Sequence, residues 1–424
     1  MNSKPENLCM APWTHTYLSP QTERRLCCAS REPAQSFKQY IDTTEGDNQY
    51  TPQTLEEYWN GEHIRRIRMQ MLNNQVPPEC EVCDKKLLNQ DVYRDYFNHL
   101  FAHKWEDVVV NTDWNGYTSM KPVSWDYRFS NLCNFKCRMC GPMLSSSWET
   151  EARKQGKIEP WMERDVKRTI DAFQKDTVEQ EFATAVEEHR VEEVYWVGGE
   201  PLMYEQHWRY MQRIIELGDG PKLYARYNTN LSRVDYKGIN LYSDLLDNIR
   251  DWQICASIDG TGDIGEYIRT GLVYDEWLEY FQQGMAHSRN RRMMRIDFTL
   301  TTPGLFEVVN ICRLAKQLDV DILAKVTFAF TPDIAMSPLF LPRDILENII
   351  NDILPNCDNK TMYNMLISLL DRPTFEEQFP DTYLQARQNG KQRITAMDKL
   401  RGGMCFADTL QHKQAKEWWN GLDS

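Results

Sequence analysis

The run Asn131-Leu-Cys-Asn-Phe-Lys-Cys-Arg-Met-Cys140 sets Cys133, Cys137 and Cys140 at C-x3-C-x2-C spacing. Three thiolates on one short loop can hold three irons of a cubic [4Fe–4S] cluster. The fourth iron then has no protein ligand nearby and stays open, as the metal does in reactive rather than purely structural sites. The competing chemistry for the triplet is a treble-clef or knuckle-type zinc site.

A second group of cysteines precedes the triplet: Cys9 in Cys9-Met-Ala-Pro-Trp13, the pair Cys27-Cys28, and Cys80-Glu-Val-Cys83. Pro77 and Pro78 stop a helix ahead of the last pair and set a turn. Eight of the 12 cysteines fall before residue 141, clustered as metal ligands are and unlike a disulfide framework. One member of the Cys27/Cys28 pair completes a closed four-cysteine site with Cys9, Cys80 and Cys83. Cys28 is the expected ligand and Cys27 its alternative. Zinc takes such a four-thiolate set readily. Cys255 and Cys312 lie in apolar periodic segments and read as small core residues. Cys405, in Gly402-Gly-Met-Cys-Phe406, reads as packing before ligand or hydrogen donor.

These residues need elements to position them. Strand-like runs at 123–129, 193–197, 222–228, 252–258, 294–302 and 322–330 alternate with helix-like runs such as 203–217, 274–288 and 305–318. Six strands separated by helices imply an α/β fold with a parallel sheet, open or a partial barrel, with ligands at the carboxyl ends of the strands. The triplet follows the first strand. Gly198-Gly199-Glu200-Pro201 follows the second, Asn228-Thr229-Asn230 the third, and Ser257-Ile-Asp-Gly260 with the trailing Arg269 the fourth. Two glycines allow close backbone approach, and a carboxylate accepts hydrogen bonds from an ammonium. Asn230 equally reads as an Asx turn opening a loop.

The triplet and these strand-end elements, in this order, resemble the radical S-adenosylmethionine (SAM) enzymes over residues 119–335. The resemblance implies a partial (β/α)6 barrel and SAM chelated at the open iron. It implies contacts to the SAM amino group from Glu200 and the backbone of Gly198 and Gly199, with Pro201 completing the motif. Asn230 and Ser257 fall near the ribose, and Arg269 pairs with the SAM carboxylate, for which a guanidinium is geometrically suited. The family usually has an aromatic residue before the third cysteine. Here it is Met139, whose thioether can pack against a purine. The upstream cysteines resemble the auxiliary-cluster modules called SPASM and twitch, although those usually follow the barrel; the resemblance implies an auxiliary [4Fe–4S] cluster there, with zinc as the alternative.

The sequence thus divides into an N-terminal cysteine-rich auxiliary-cluster module (1–118), a radical SAM partial barrel (119–335) and a C-terminal helical region (336–424). One helix is expected near 54–72, a charged helical insertion over 156–190, and a polar stretch over 45–52. The 424 residues carry a net charge of -13, which disfavours non-specific nucleic-acid binding. The run Arg65-Arg66-Ile-Arg68 reads as a solvated helix face. No long apolar run or secretory signal is evident, so a cytoplasmic location and no membrane span are expected.

The implied activity is reductive cleavage of SAM to a 5′-deoxyadenosyl radical and hydrogen abstraction from a substrate carbon. This gives oxidoreductase chemistry on a peptide or protein side chain, with electrons from a reductase or flavodoxin-type donor. The same chemistry on a small metabolite (a sugar, nucleotide or amino-acid derivative) is the alternative. A zinc-stabilised binding protein without catalysis is the rival from another class.

Overall fold

A computed structural model of the chain describes residues 4–30, 52–86, 92–327 and 331–422. Residues 45–51 of the polar stretch and 328–330 of the last strand-like run lie outside them. The fold is mixed α/β with a mostly parallel sheet, and it comprises two units interleaved in sequence. The first holds residues 1–133, 142–227 and 237–252, and the second holds 134–141, 228–236 and 253–424.

In the first unit, β1 (His15–Leu18) turns back on β2 (Arg24–Arg25) and lies parallel to β3 (Ser124–Tyr127), with His15 beside Ser124. β3 is parallel to β4 (Glu193–Trp196), which is parallel to β5 (Tyr224–Thr229). The N-terminal strand β1 was not expected from the sequence. β6 (Asp235–Tyr236) and β7 (Ile239–Asn240) are two-residue strands. In the second unit β8 (Asp251–Ser257), from residue 253 onward, pairs parallel with β9 (Met294–Leu300), and β9 with β10 (Asp321–Val326). All six expected strands are present in their described residues.

Side chains alternate across a strand, so each strand sorts its residues between two faces. On one face of the first unit Trp125, Tyr127, Val194, Trp196, Ala225 and Tyr227 are buried. Phe182, on the helix Glu179–Glu187, meets Trp125 and Trp196 edge-on at 5.5 and 5.9 Å. His207, on the helix Glu205–Glu216, bonds the Tyr227 hydroxyl at 3.0 Å. The opposite face is polar. His15 bonds Ser124 at 2.6 Å, the Ser124 hydroxyl donates to Glu193, and Arg226 and the Tyr96 hydroxyl donate to the same carboxylate at 2.9 and 2.8 Å. The second unit repeats the division, with Ile254, Ile296, Phe298 and Leu300 buried in the core and Asp297 facing Asn228, Ser257 and Lys325.

The helix expected at 54–72 is two helices, Leu55–Trp59 and Glu62–Leu72, parted at Asn60-Gly61. A Thr54/Glu57 capping box starts the first. The expected solvated basic face is corrected at Arg68. Ile64, Ile67, Arg68 and Met71 share one buried stripe, and Arg68 donates to Pro12 O at 2.9 Å and Asn60 Oδ1 at 2.9 Å. The insertion over 156–190 is helical as expected, in the segments Arg164–Phe173, Gln174–Val178 and Glu179–Glu187. The chain beyond 336 is helical, with Tyr383–Arg401 its longest helix.

Candidate active site

The triplet lies on the loop after β3. Cys133 closes the first stretch of the first unit. Ser146 Oγ accepts from the Cys133 N–H at 3.1 Å and Ser147 Oγ donates to the Cys133 carbonyl at 2.8 Å. These serines open the helix Ser146–Lys154 and hold the loop from its far side. The Glu200 N–H donates to Leu132 O at 2.7 Å, so the loop carrying Gly198-Gly199-Glu200 is tied to the residue before the first cysteine. A Cβ on Gly199 would stand 2.3 Å from Leu132 O, which no side chain allows. The glycine is needed for approach of backbone to backbone, where the sequence pointed to a ligand. Gly198 has φ 130°, a conformation that favours glycine. Tyr204, which sequence reasoning missed, donates from its hydroxyl to Ser130 O at 2.6 Å and accepts from Gly199 N–H at 2.7 Å. Glu200 is buried and its Oε1 accepts from Leu202 N–H at 3.0 Å, capping the turn begun by Pro201.

In the second unit, Cys140 N–H donates to Cys137 O at 3.0 Å, a tight turn that holds the two cysteines together. Burial pushes the Cys137 thiol up to about 12 and raises Cys140 as well, while the nearby Arg269 cation opposes both shifts. Arg269 Nη1 lies 4.0 Å from Cys137 Sγ, and its Nε lies 2.7 Å from Asp259 Oδ2. Arg269 was expected to be committed to the SAM carboxylate. Its guanidinium also has a buried carboxylate partner within the protein, Asp259, which sequence reasoning did not assign. Asp259 also accepts from Thr299 N–H at 2.7 Å.

The Asx turn is present at Asn230: its Oδ1 accepts from Ser232 N–H at 3.0 Å and its Nδ2 donates to Asn134 at 3.0 Å. Ser257 Oγ lies 3.4 Å from Asp297. Met139 packs against an apolar cluster that includes Ile264, Ile268 and Phe406. Cys405, read as packing, is only half-buried. Its thiol donates to Asp408 at 2.9 Å at the start of the helix Phe406–Thr409.

The N-terminal cysteines gather in the first unit. Cys9, Cys27 and Cys80 are buried in one cluster with Trp13, Ile64, Met71 and Phe97. Their charges act on one another, with Cys83 close to Cys9 and Cys80. Burial is the largest influence and pushes the Cys9 thiol up to about 12. The sulfurs of Cys9 and Cys27 each accept from the backbone two residues on, at Ala11 and Ala29, as thiolate ligands do. Of the pair, Cys27, the alternative ligand, is the one buried in this cluster, and Cys28 beside it is the strongest charged neighbour of its sulfur. Cys28 is hydrogen-bonded to Tyr93 and lies near Asp126 and Arg128. Asn98 brackets Cys9, accepting from Met10 N–H at 3.0 Å and donating to Leu8 O at 2.7 Å.

None of the 12 cysteines is in a disulfide. Among the described residues no three His, Cys, Asp or Glu side chains converge at the spacing of ligands to one metal ion. Four sulfurs on one zinc would stand about 3.8 Å apart, given Zn–S distances near 2.3 Å. In a cubic cluster each cysteine binds its own iron and the thiolates stand further apart. Desolvated sulfurs with backbone donors and adjacent guanidinium groups suit such a cluster at both places.

Residues 127–284 match the radical SAM superfamily, and residues 9–84 match an iron–sulfur cluster-binding domain, SPASM. No curated protein matches the chain. Among solved structures, native anSMEcpe with bound AdoMet and Cp18Cys peptide aligns at 15% identity over 54% of this chain and 58% of that one, with a TM-score of 0.35. Streptococcus suis SuiB bound to S-adenosylmethionine aligns at 12% identity over 76% and 72%, with a TM-score of 0.36. SuiB bound to precursor peptide SuiA aligns at 12% over 74% and 71%, with a TM-score of 0.35. The chain thus spans less than two thirds of the anSMEcpe structure it matches. The two family matches fall on the two cysteine groups and favour iron–sulfur over zinc at both: residues 127–284 carry a radical SAM domain and residues 9–84 a SPASM-type module, and the cofactors these domains imply are a [4Fe–4S] cluster, S-adenosylmethionine and an auxiliary iron–sulfur cluster.

Proposed function

We propose that this enzyme abstracts hydrogen from a carbon of a peptide or protein side chain and completes a net oxidation of it, with a reductase or flavodoxin-type protein as electron donor. When bound, the cluster and SAM supply a 5′-deoxyadenosyl radical by one-electron reductive cleavage. Cys133, Cys137 and Cys140 hold that cluster. Glu200, with the backbone of Gly198 and Gly199, receives the SAM ammonium, and Asn230 and Ser257 serve the ribose. Arg269, held by Asp259, keeps a positive charge beside the Cys137 sulfur and at the SAM carboxylate. Met139 packs against the adenine, and Pro201 completes the Gly198–Pro201 motif. Cys9, Cys27, Cys80 and Cys83 hold the auxiliary cluster. In this division the N-terminal residues form the auxiliary module, the strand–helix alternation the barrel, and the residues beyond 336 a helical extension.

The observation that supports the oxidative reading is the burial of Cys9, Cys27 and Cys80 in one cluster, with Cys83 acting on Cys9 and Cys80, which offers four thiolates to one cluster. Full ligation by protein suits transfer of an electron from the substrate radical, not binding of substrate at an open iron. The peptide class rests on the resemblance to auxiliary-cluster enzymes. Anaerobic reconstitution with iron and sulfide, then dithionite and SAM, tests the reading. 5′-Deoxyadenosine is expected from the wild-type chain and absent from Cys133→Ala, and equal yields from the two overturn it.

A further inference from the structure

Arg94 is 3% exposed, and a cation removed from water is costly unless an anion faces it. Among the described residues its one carboxylate partner is Asp84, 3.6 Å from Nη1, and the Asp84 side chain is itself 46% exposed. Nη2 is buried with no hydrogen-bond partner among those residues. The residue sits on the helix Tyr93–Leu100, one turn before Asn98. Residues four apart share a helix face, so Arg94 lies on the face that grips the Cys9 loop through Leu8 and Met10. Its charge reaches Cys9 and Cys80. Asp84 is the neighbour of Cys83 in the helix Glu81–Lys86. The guanidinium therefore lies on the helix face that meets the Cys9 loop, beside Asp84, with Nη2 unmatched.

A metal cluster held by four thiolates carries net negative charge and has sulfurs that accept hydrogen bonds. Net charge and hydrogen bonds at sulfur are among the determinants of an iron–sulfur potential. We infer that Arg94 is a positioning residue for the auxiliary cluster, donating to a cluster sulfur and holding its reduction potential up, so that the cluster accepts an electron. This rests on the auxiliary-cluster reading above. Asp84 opposes Arg94, and the pair sets the local charge.

The test uses the full chain with Cys133, Cys137 and Cys140 replaced by alanine, so that only the auxiliary cluster contributes a signal. Iron is counted per chain, and the midpoint is read by potentiometric titration with electron paramagnetic resonance. In this background Arg94→Gln is expected to leave the iron count unchanged and to lower the reduced-to-oxidised ratio at fixed potential at least tenfold. That is a shift of about 59 mV for a one-electron couple. Asp84→Asn is expected to move the midpoint the opposite way, and Arg94→Lys to restore most of the wild-type value. A purely structural arginine predicts lost iron without a shifted midpoint. A midpoint in Arg94→Gln within threefold of the starting ratio, at full iron, overturns the inference. If Arg94→Gln does not fold, Asp84→Asn decides: a raised midpoint supports the inference and an unmoved one overturns it. Separately, a Cys80→Ser variant that retains all the iron of this background overturns the auxiliary-cluster reading itself.

Discussion

At the scale of single residues, charge and sulfur settle most of what this chain can do. Cys27 sits with Cys9 and Cys80, and Cys28 with Tyr93 and Asp126. Cys27→Ala is therefore expected to remove about half of the iron from anaerobically purified protein, and Cys28→Ala to remove none; equal losses would reject the assignment. Asp259→Asn strands Arg269, which is 9% exposed. Breaking a buried pair on one side costs about 3–5 kcal/mol, and denaturant titration of the variant should show a loss of that order. The triplet, the glycine pair and the strand-end carboxylate were legible in the sequence because their spacing along the chain is itself the signal. The choice within Cys27-Cys28 was not legible, since neighbours one residue apart have equal spacing to everything else. Asp259 lay within a recognised run, but its role emerges only when Arg269, ten residues on, folds back to it. Tyr204, Arg94 and Asn98 act through backbone atoms or buried sulfurs and leave no motif.

At the scale of elements, the loops at strand ends are held mainly by one another's backbones. The Gly199 contact is the tightest. Gly199→Ala would drive a methyl into Leu132 O, and the loop bearing Cys133 must move. Such a variant should retain the auxiliary cluster, lose the triplet's iron and yield no 5′-deoxyadenosine, and wild-type iron content would count against this role. Alternation along the strands was readable because polar and apolar residues take turns with period two. The basic helix shows how a pattern can be misread: three arginines near one another suggest a wet face, yet Arg68 falls at i+4 from Ile64 and three before Met71. Its position in the stripe outweighed its charge, helped by carbonyl acceptors at Pro12 and Gly116 and by the Trp59 ring 4.9 Å away. β1 escaped notice because four residues between a helical turn and a tight hairpin are too few to show a period.

At the scale of the whole molecule, no helix among the described residues is long and apolar enough to cross a membrane, and the polar interior makes stability depend on pH. Burial drops the pKa of both His15 and His207 to about 3, against about 6.5 in an unfolded chain. The unfolded state therefore binds the extra protons. Stability is at its full value above pH 6.5 and falls as pH drops from there towards 3, by about 1.4 kcal/mol per pH unit for each ring. Unfolding in denaturant at pH 7.5 and 5.5 should show this slope, reduced in His207→Gln; an unchanged slope in that variant would refute the assignment. The pairing of β1 with β3, 109 positions apart at His15 and Ser124, has another consequence. A truncated chain begun after residue 30, meant to isolate the catalytic strands, would leave β3 with a bare row of backbone donors and acceptors, a template for intermolecular strand pairing. The cysteine-rich N-terminus is thus a selvedge sewn to the sheet as well as a cofactor holder, and trimming it should yield aggregates before it yields a smaller enzyme.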